Sequence, residues 1–237
     1  RADKPVERAR QPAGTSLEGA QVMQELLSYL PDFANALLVT LGISLTAAAM
    51  GLLLGFGINA LRMAAPGFVA IYRVYVWLIR GTPFLAQLAI IYFGLPVIGL
   101  RLEAVEASIL SLALYSAAYF AELFRSAWAS VPNGQVEAAR VHGISRSRVF
   151  WHIQAPQALA FALPLLGNQV ILTIKESAVT SIITVPELTM TAGRIVSTTF
   201  SYVLPYALLV LSYWLLTSSV AAVASALGRR MTRHLRG

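Results

Sequence analysis

Four charged residues interrupt stretches of this sequence that are otherwise apolar. Glu122 and Arg125 stand near the end of one such stretch, and Lys175 and Glu176 are neighbours in another. A charge within an apolar span is costly, so each of these residues is a candidate for a functional role. Glu122 and Arg125 are three positions apart and, on a helix, can simply pair with each other. A structural salt bridge within the pair is therefore the alternative for Glu122 and Arg125, and a salt bridge that locks spans together is the alternative for Lys175 and Glu176.

The pair Lys175-Glu176 opens a predicted polar stripe. Adjacent residues of a helix point in different directions, so these two cannot neutralise each other across one face. At least one of them is expected to face a cavity or a partner helix. Hydroxyl side chains follow, with Ser177 and Ser181 on one face at α-helical spacing. The residues predicted to line a polar path are Lys175, Glu176, Ser177, Thr180 and, from the other stretch, Glu122.

The composition indicates an integral membrane protein. Of 237 residues, 57% are hydrophobic and only 12% are charged, and the mean hydropathy is +0.67. Several apolar runs are long enough to cross a bilayer. A net charge of +7 would suggest nucleic acid binding in a soluble protein, but in a membrane protein it usually reflects orientation. The sequence has no cysteine, which excludes disulfides, thiolate nucleophiles and cysteine metal sites.

The first thirty residues differ from the rest. The chain begins with Arg1 rather than Met, and residues 1–30 lack the continuous apolar core of a signal peptide. The numbering is therefore expected to start inside a longer natural product. We predict a polar N-terminal extension in residues 1–30 and a single membrane domain in residues 31–237.

Five helical membrane spans are predicted in that domain. The first, residues 33–59, contains Gly51 and Gly55, whose spacing permits close approach of two helices, within the chain or between copies. Residues 67–79 are apolar but contain Arg73 and end at the break Arg80-Gly81-Thr82-Pro83, so we assign them to the membrane interface. The other spans are predicted at residues 84–100, 102–127, 164–184 and 202–227.

The fourth span can be drawn in two ways. Placed at residues 155–174, it leaves Lys175 and Glu176 outside the apolar run. Placed at residues 164–184, it has Pro164 in the first turn, where proline is tolerated, and brings both charges near the bilayer centre. We favour the second placement.

Arginines near the span ends predict the orientation. The connections on one side contain Arg62, Arg73, Arg80, Arg140, Arg146, Arg148, Arg229, Arg230, Arg233 and Arg236. The opposite side has only Arg101 and Arg194 outside the charge-balanced N-terminal segment. Five spans with the N-terminus outside and the C-terminus in the cytoplasm satisfy every connection.

The longest polar interruption, residues 131–156, is cytoplasmic in this topology. Pro132-Asn133-Gly134 is typical of a turn, and residues 135–142 are predicted to form a short helix. Gly143 can take the positive φ that ends a helix. Ser145 is a candidate N-cap for a second short helix that runs to Gln154. Two short helices at an angle would form a protruding knob for docking; an ordinary loop is the alternative.

This loop resembles the EAA motif of the membrane subunits of ATP-driven importers. The matching residues are Glu137, Ala138, Ala139, Gly143, Ile153 and Pro156. Ala155 stands where the family usually has leucine. The resemblance implies that Glu137, Ala138, Ala139 and Gly143 couple this chain to an ATPase, with the alanines and the glycine permitting close packing.

Three further landmarks are similar to the polar amino acid permeases of that class. They are residues 80–96, residues 117–139 and residues 175–188, in chain order. The last departs from the family pattern, with Glu176 in place of aspartate and Ser177-Ala178 in place of Thr-Ser. The resemblance extends from about residue 31 to the final arginines.

The resemblance implies an all-helical type I importer permease of the bacterial inner membrane. The expected partners are a second permease subunit, identical or paralogous, a dimer of ATP-binding subunits and an extracytoplasmic solute-binding protein. The expected substrate is a polar amino acid, whose ammonium and carboxylate suit a path that offers both signs of charge. The identity of that amino acid is left open.

The sequence offers no machinery for catalysis. Its only lysines, Lys4 and Lys175, do not follow a glycine, so a phosphate-binding G-x4-G-K-[ST] loop is excluded and ATP with magnesium is expected on the partner. His142, His152 and His234 form no H-E-x-x-H pattern, and no serine lies in G-x-S-x-G. We expect neither an enzyme nor a metal site. A passive channel or scaffold and a membrane enzyme are the alternatives, and dependence on an ATPase separates them from a permease.

Overall fold

The fold is all-helical throughout the part that the structure, a computed structural model, describes, which is residues 14–232. Its α-helices are α1 (Gly14–Ala64), α2 (Phe68–Gly81), α3 (Phe84–Ala89), α4 (Ala104–Ala129), α5 (Asn133–Val141), α6 (Arg146–Val149), α7 (Ala155–Glu176), α8 (Leu188–Thr199) and α9 (Val203–Thr232). Two π-helical segments, Ile90–Gly94 and Phe150–Gln154, and two 3-10 segments, Leu95–Ile98 and Ser177–Ile183, continue these helices.

Four helical stretches are long and apolar enough to cross a membrane: Gly19–Ala64, Ala104–Ala129, Arg146–Ile183 and Val203–Arg229. A fifth span results if α2 and the helix Phe84–Ile98, bent by 107° at the break between them, count as one. The all-helical class and the prediction of about five spans are confirmed. The orientation of the termini stays a prediction.

The second predicted span is shorter than expected. The helix Phe84–Ile98 is about 22 Å long at the usual rise, whereas the hydrocarbon core of a bilayer is about 30 Å thick. The break before it arises at Thr82, which is extended with φ −122°, and at Pro83, which lacks the N–H that would continue α2. The two helices together have the length and hydropathy of one crossing, but a bend of 107° fits either a broken span or a re-entrant segment, so the assignment of α2 to the interface stays a prediction.

Helix α1 begins well before the predicted first span. It runs through Pro31, where the sequence had indicated the start of the membrane segment, without interruption. Leu26 and Tyr29 pack against a core cluster that includes Phe33 and Leu208, so tertiary contacts hold the helix on both sides of the proline. We predicted a polar extension in residues 1–30 and a membrane domain after it. The continuity of α1 does not test that boundary, which remains a prediction.

Helices α1 and α4 lie in close contact because α1 presents glycines to α4. A Cβ atom on Gly55 would lie 2.7 Å from the Phe120 Cβ and 2.8 Å from the Ala117 carbonyl oxygen, and one on Gly51 would overlap the Ser116 hydroxyl. The close helix contact predicted from this glycine pair, either within the chain or between copies, is therefore observed within the chain. The contact forms the centre of the fold.

The fourth span differs from its prediction at its start. The loop's second helix does not stop at Gln154 but continues into α7, so one helix runs from Arg146 to Ile183. Pro164 lies inside α7 rather than in a first turn. Membrane helices tolerate such prolines because neighbouring helices and small local adjustments satisfy the backbone groups that the proline leaves free.

Helix α8 was not predicted. It begins after Glu187 and follows the 3-10 segment Ser177–Ile183, which ends at Thr184 with φ 65°. Its C-terminal neighbour Phe200 also has positive φ, 56°. The third and last spans, in contrast, agree with α4 and α9, and α4 starts with a capping box formed by Glu103 and Glu106.

Candidate functional site

Glu122 is the centre of an ion cluster between α2 and α4. Arg125 donates from Nε to Oε1 and from NH2 to Oε2, both at 2.9 Å, and the Tyr72 hydroxyl donates to Oε1. Arg80 approaches Oε2 at 3.7 Å. The predicted pairing of Glu122 with Arg125 is confirmed, and it extends to α2.

This cluster contains one more positive than negative charge. Arg125 occupies both carboxylate oxygens of Glu122, so the looser Arg80 is not needed for its neutralisation. The Arg80 side chain is 47% exposed, and its guanidinium lies 5.3 Å above the Tyr119 ring. Among the side chains that the structure describes, those of residues 19–229, Arg80 pairs with no other acid. Arg80 is thus a surplus positive charge at the end of α2.

Two tyrosines connect Arg80 with the predicted polar stripe. The Tyr119 hydroxyl lies 3.3 Å from that of Tyr115, and their rings are 4.8 Å apart. Tyr115 interacts electrostatically with both Arg80 and Glu176. The structure therefore brings Arg80 and Glu176, which are far apart in sequence, within range of one tyrosine.

Lys175 and Glu176 are the last two residues of α7, and they are less buried than Ser177 and Thr180, which follow them. Lys175 is exposed and Glu176 is partly exposed, and neither forms a salt bridge within the described part of the chain. As predicted, they do not neutralise each other. Both charges are available to a ligand or to another subunit.

The hydroxyls of Ser177 and Thr180 are turned inward. They donate to the carbonyl oxygens of Ile174 and Ser177, each at 2.7 Å, and both residues are fully buried. The segment is a 3-10 helix with three residues per turn, so Ser177 shares its face with Thr180, whereas Ser181 lies to the side. The prediction that Ser177 and Ser181 share a face is wrong for this reason. In the single chain Ser177 and Thr180 reach no open surface, and their place in the path remains a prediction.

Glu187 is a buried acid that the sequence reasoning missed. Its carboxylate accepts from the backbone N–H of Thr189 at 2.8 Å, from that of Met190 at 2.7 Å and from the Tyr213 hydroxyl at 2.9 Å. Burial raises the pKa of this carboxyl, and these hydrogen bonds oppose the rise. A signal was present: an acid that directly follows Pro186, a residue that breaks regular structure, can cap the helix that begins after it.

The predicted docking knob is formed by α5 and the start of the helix Arg146–Ile183. Gly143 joins them with φ 73°, and its N–H donates to the Arg140 carbonyl at 3.0 Å. The predicted positive φ is confirmed. Ser145 occupies the N-cap position of α6, but its side chain makes no capping hydrogen bond.

Only some of the predicted coupling residues face outward. Ala139 and Val136 are buried against Val149 and Ile153, so they form the knob's own core. Glu137 and Ala138 lie on the exposed side of α5, and Gly143 is exposed with open space around it. The sequence did not single out Val141, an apolar residue that is 86% exposed on the same knob.

Among the described residues, no group of three or more histidine, aspartate or glutamate side chains is arranged to hold a metal ion. His142 and His152 are exposed on the knob, and the His152 Nδ1 atom lies 3.2 Å from the Arg148 carbonyl oxygen. His234 and the arginines at positions 233 and 236 lie outside the described residues.

Comparison with known proteins gives consistent matches. Residues 51–233 match the family described as the inner membrane component of binding-protein-dependent transport systems. A probable amino-acid ABC transporter permease protein of Bacillus subtilis (strain 168), YckA, is 38% identical over 200 residues, which are 83% of this chain and 87% of YckA. The arginine transport system permease protein ArtQ of the same strain is 30% identical over 204 residues, 85% of this chain and 93% of ArtQ.

A solved structure agrees with these relatives. One chain of a crystal structure of an amino acid ABC transporter with histidines superposes on this fold with a TM-score of 0.82 and 35% sequence identity. The match covers 87% of this chain and 97% of the other.

Proposed function

The chain belongs to the family of binding-protein-dependent transport system inner membrane components, and we propose that it conducts a polar amino acid along a path between Arg80 and Glu176. It is a permease subunit of an amino acid ABC importer and a transport component rather than an enzyme. This membership favours a permease over the passive channel or scaffold. The path and the partners described below are our proposals.

The observation that carries the path is the pair of available opposite charges near Tyr115. Arg80 is surplus to the Glu122 cluster, and Glu176 has no ion pair in the described residues. An amino acid carries a carboxylate and an ammonium, so Arg80 would hold the first and Glu176 the second. Charges inside a membrane domain are costly unless they are paired, and a zwitterion supplies both partners at once.

The other predicted path residues support this pair. Glu122 and the Tyr119 ring contact the Arg80 guanidinium and orient it. The Ser177 hydroxyl ties the 3-10 segment after Glu176 to the end of α7 at Ile174, and the Thr180 hydroxyl donates to the segment's own backbone at Ser177. Lys175, exposed beside Glu176, is available to a side-chain carboxyl or to a neighbouring subunit.

The chain would act in the inner membrane of a bacterium, where its family is an inner membrane component. The proposed partners are a second permease subunit, identical or paralogous, an extracytoplasmic solute-binding protein and two ATP-binding subunits. ATP and magnesium would bind to those subunits, because this sequence has no phosphate-binding loop. Glu137, Ala138 and Gly143 would contact the ATPase, and Ala139 would support them from the knob's core.

The path is tested in proteoliposomes that contain this chain, its ATPase and its binding protein. A screen with L-arginine, L-glutamine and L-histidine first finds the amino acid that stimulates ATP hydrolysis. Arg80→Gln should then raise the half-maximal concentration by roughly tenfold or more, the usual effect of losing a charged hydrogen bond. Glu176→Gln should do the same. Basal hydrolysis should stay the same in both variants.

An amide analogue of the substrate, which lacks the carboxylate, separates contact from indirect effects. The unaltered transporter should discriminate against the amide, and Arg80→Gln should lose that discrimination. Arg73→Gln is the matched control, since Arg73 is exposed on the same helix, α2. Equal discrimination in Arg80→Gln and Arg73→Gln would show that Arg80 does not hold the carboxylate.

A further inference from the structure

The break between α2 and the helix Phe84–Ile98 leaves backbone groups without helical partners. It lies in the middle of a helix pair that is apolar enough for a membrane, where free carbonyl groups cannot depend on water. The carbonyl oxygens concerned are those of the last turn of α2, because no helix continues past Gly81 to supply their N–H donors. Other groups of the chain must therefore donate to them.

The side-chain amide of Gln87, in the first turn of the second helix, supplies donors for these groups. Its Nε2 atom lies 2.8 Å from the Ile79 carbonyl oxygen, 3.1 Å from that of Thr82 and 2.9 Å from the Thr82 hydroxyl oxygen. The Thr82 hydroxyl in turn donates to the Leu78 carbonyl oxygen at 2.8 Å. One amide and one hydroxyl thus satisfy three carbonyl groups at the break.

Gln87 belongs to a turn that is fixed to the core of the fold. Phe84 and Leu88, in the same turn, are both buried in the central core cluster. The Phe84 ring also packs against the Tyr115 ring of α4, with 5.2 Å between the ring centroids. The backbone that carries Gln87 therefore cannot shift without disturbing the core, and its amide connects the end of α2 to this fixed position.

The turn at the break, in contrast, is not held by packing. Gly81, Thr82 and Pro83 are all exposed in the described chain, and a Cβ atom on Gly81 would have no neighbour within 4 Å. Thr82 is extended, so the helix has already ended there. Restraint at this turn therefore comes from hydrogen bonds, and in the described part of the chain the Gln87 amide makes those that join its two sides.

Arg80 lies between the two backbone carbonyls that Gln87 binds. Ile79 directly precedes it, and Thr82 follows two positions later. The Arg80 side chain is 47% exposed, and its contact with Glu122 is loose, at 3.7 Å. The direction of the guanidinium therefore depends on the backbone from which the side chain extends, and that backbone is fixed on both sides by Gln87.

We infer that Gln87 is a positioning residue for the transported amino acid. Its amide fixes the turn at the end of α2, so that the Arg80 guanidinium binds the substrate carboxylate in one orientation. Such precision matters because two parallel hydrogen bonds between arginine and a carboxylate form only in a narrow geometry. The inference rests on the proposed path for the role of Arg80. It requires a donor at position 87, because every partner of the amide is an oxygen atom.

Spin labels measure whether Gln87 fixes the turn. The sequence has no native cysteine, so Val74→Cys and Phe93→Cys, exposed positions on the two sides of the break, define one distance across it. The labelled chain is diluted with unlabelled chain, so that an assembled transporter contains one labelled pair. Gln87→Met keeps an unbranched side chain but has no donor, and it should broaden the distance distribution. Ala86→Met, the same side chain at the neighbouring exposed position, is the matched control and should leave the distribution narrow.

Substrate-stimulated ATP hydrolysis in proteoliposomes measures the consequence for Arg80. Gln87→Met should raise the half-maximal concentration of the stimulating amino acid by roughly fivefold and weaken discrimination against its amide analogue by a similar factor. Gln87→Glu should have at least this effect, because a carboxylate of the same size only accepts hydrogen bonds and competes with the substrate for Arg80. Ala86→Met should change neither quantity. The loss of discrimination is the result that a general loss of stability would not produce.

The outcomes separate this inference from the proposed path. A distance that stays narrow in Gln87→Met overturns the inference, whatever Arg80→Gln does. A broadened distance with unchanged discrimination also overturns it when Arg80→Gln itself loses discrimination. If the distance broadens but Arg80→Gln keeps its discrimination, the proposed path is wrong, and the inference fails with it. If Gln87→Met does not assemble, Thr82→Val, which lacks the hydroxyl that binds the amide, decides by the same two measurements, with Thr82→Ser as its control.

Discussion

Arg125 binds both carboxylate oxygens of Glu122, each at 2.9 Å, one helical turn further along α4. Such a two-point contact is stronger than a single hydrogen bond and fixes both side chains. It leaves Arg80, at 3.7 Å, as the less tightly held cation of the cluster.

We expect Glu122→Gln to destabilise the protein by about 1–2 kcal/mol. The amide can accept only one of the two hydrogen bonds that Arg125 donates, and it leaves Arg125 and Arg80 without a negative partner. Thermal unfolding of the detergent-purified chain measures this loss. Asp32→Asn is the control: it breaks an ion pair whose side chains are half exposed and should cost less than about 1 kcal/mol. Equal melting temperatures for the two variants would contradict the central role of Glu122.

Gly55 tests the contact between α1 and α4. Gly55→Ala should destabilise the fold by about 1–3 kcal/mol, because its Cβ atom would lie under 3 Å from atoms of Phe120, Ala117 and Ala121. Gly42→Ala and Gly57→Ala, in the same helix but with open space around them, should be neutral or stabilise by up to about 1 kcal/mol. Chemical or thermal unfolding measures all three, and no difference between Gly55 and Gly42 would refute the close contact.

Gly143→Val should uncouple transport from ATP hydrolysis. Valine resists the φ of 73° that directs the helix Arg146–Ile183 away from α5, so the docking knob would change shape while membrane insertion stays normal. Copurification of the ATPase and substrate-stimulated hydrolysis should both decrease. Glu137→Arg, which reverses an exposed charge on α5, should weaken the same contact.

Gly134→Val is the control for this prediction. Gly134 lies in α5 with open space around it and without a positive φ, so valine there changes the knob's surface by one side chain but not the chain direction. If Gly143→Val and Glu137→Arg both transport as well as Gly134→Val, the knob is not the ATPase contact.

Single cysteines test the topology. Gln135→Cys on the knob should react with a membrane-impermeant thiol reagent only from the cytoplasmic side, and Arg101→Cys only from the outside. Arg101 is chosen because it precedes the capping box of α4 and leaves Glu103 and Glu106 intact. Reaction of both cysteines from the same side would refute the orientation predicted from the arginines.

The features that sequence predicted well depend on short-range physics. The extents of α4 and α9 follow from continuous apolar runs of the sequence, and the positive φ of Gly143 and the pairing of Glu122 with Arg125 follow from residues within one or two turns. Gly51 and Gly55 indicated a close helix contact for the same reason, although their spacing could not name α4 as the partner.

The features that sequence missed are decided by tertiary contacts. Pro31 and Pro164 suggested helix boundaries, but surrounding helices hold α1 and α7 together at both prolines. Helix α8 has a mixed polar sequence, and it forms because Leu188 and Ala192 are buried against α1 and α9. The surplus charge of Arg80 could be recognised only once Arg125 was seen to occupy both oxygens of Glu122.

The helix Arg146–Ile183 begins at the docking knob and carries Lys175 and Glu176 near its other end. Its 38 residues correspond to about 57 Å, so one continuous rod spans the distance from the ATPase contact to the proposed path. If ATP binding to the partner changes the affinity of the path for its amino acid, thermodynamic linkage requires the reciprocal effect of equal factor. The transported amino acid would then also be an effector, and it would tune the nucleotide affinity of a different polypeptide.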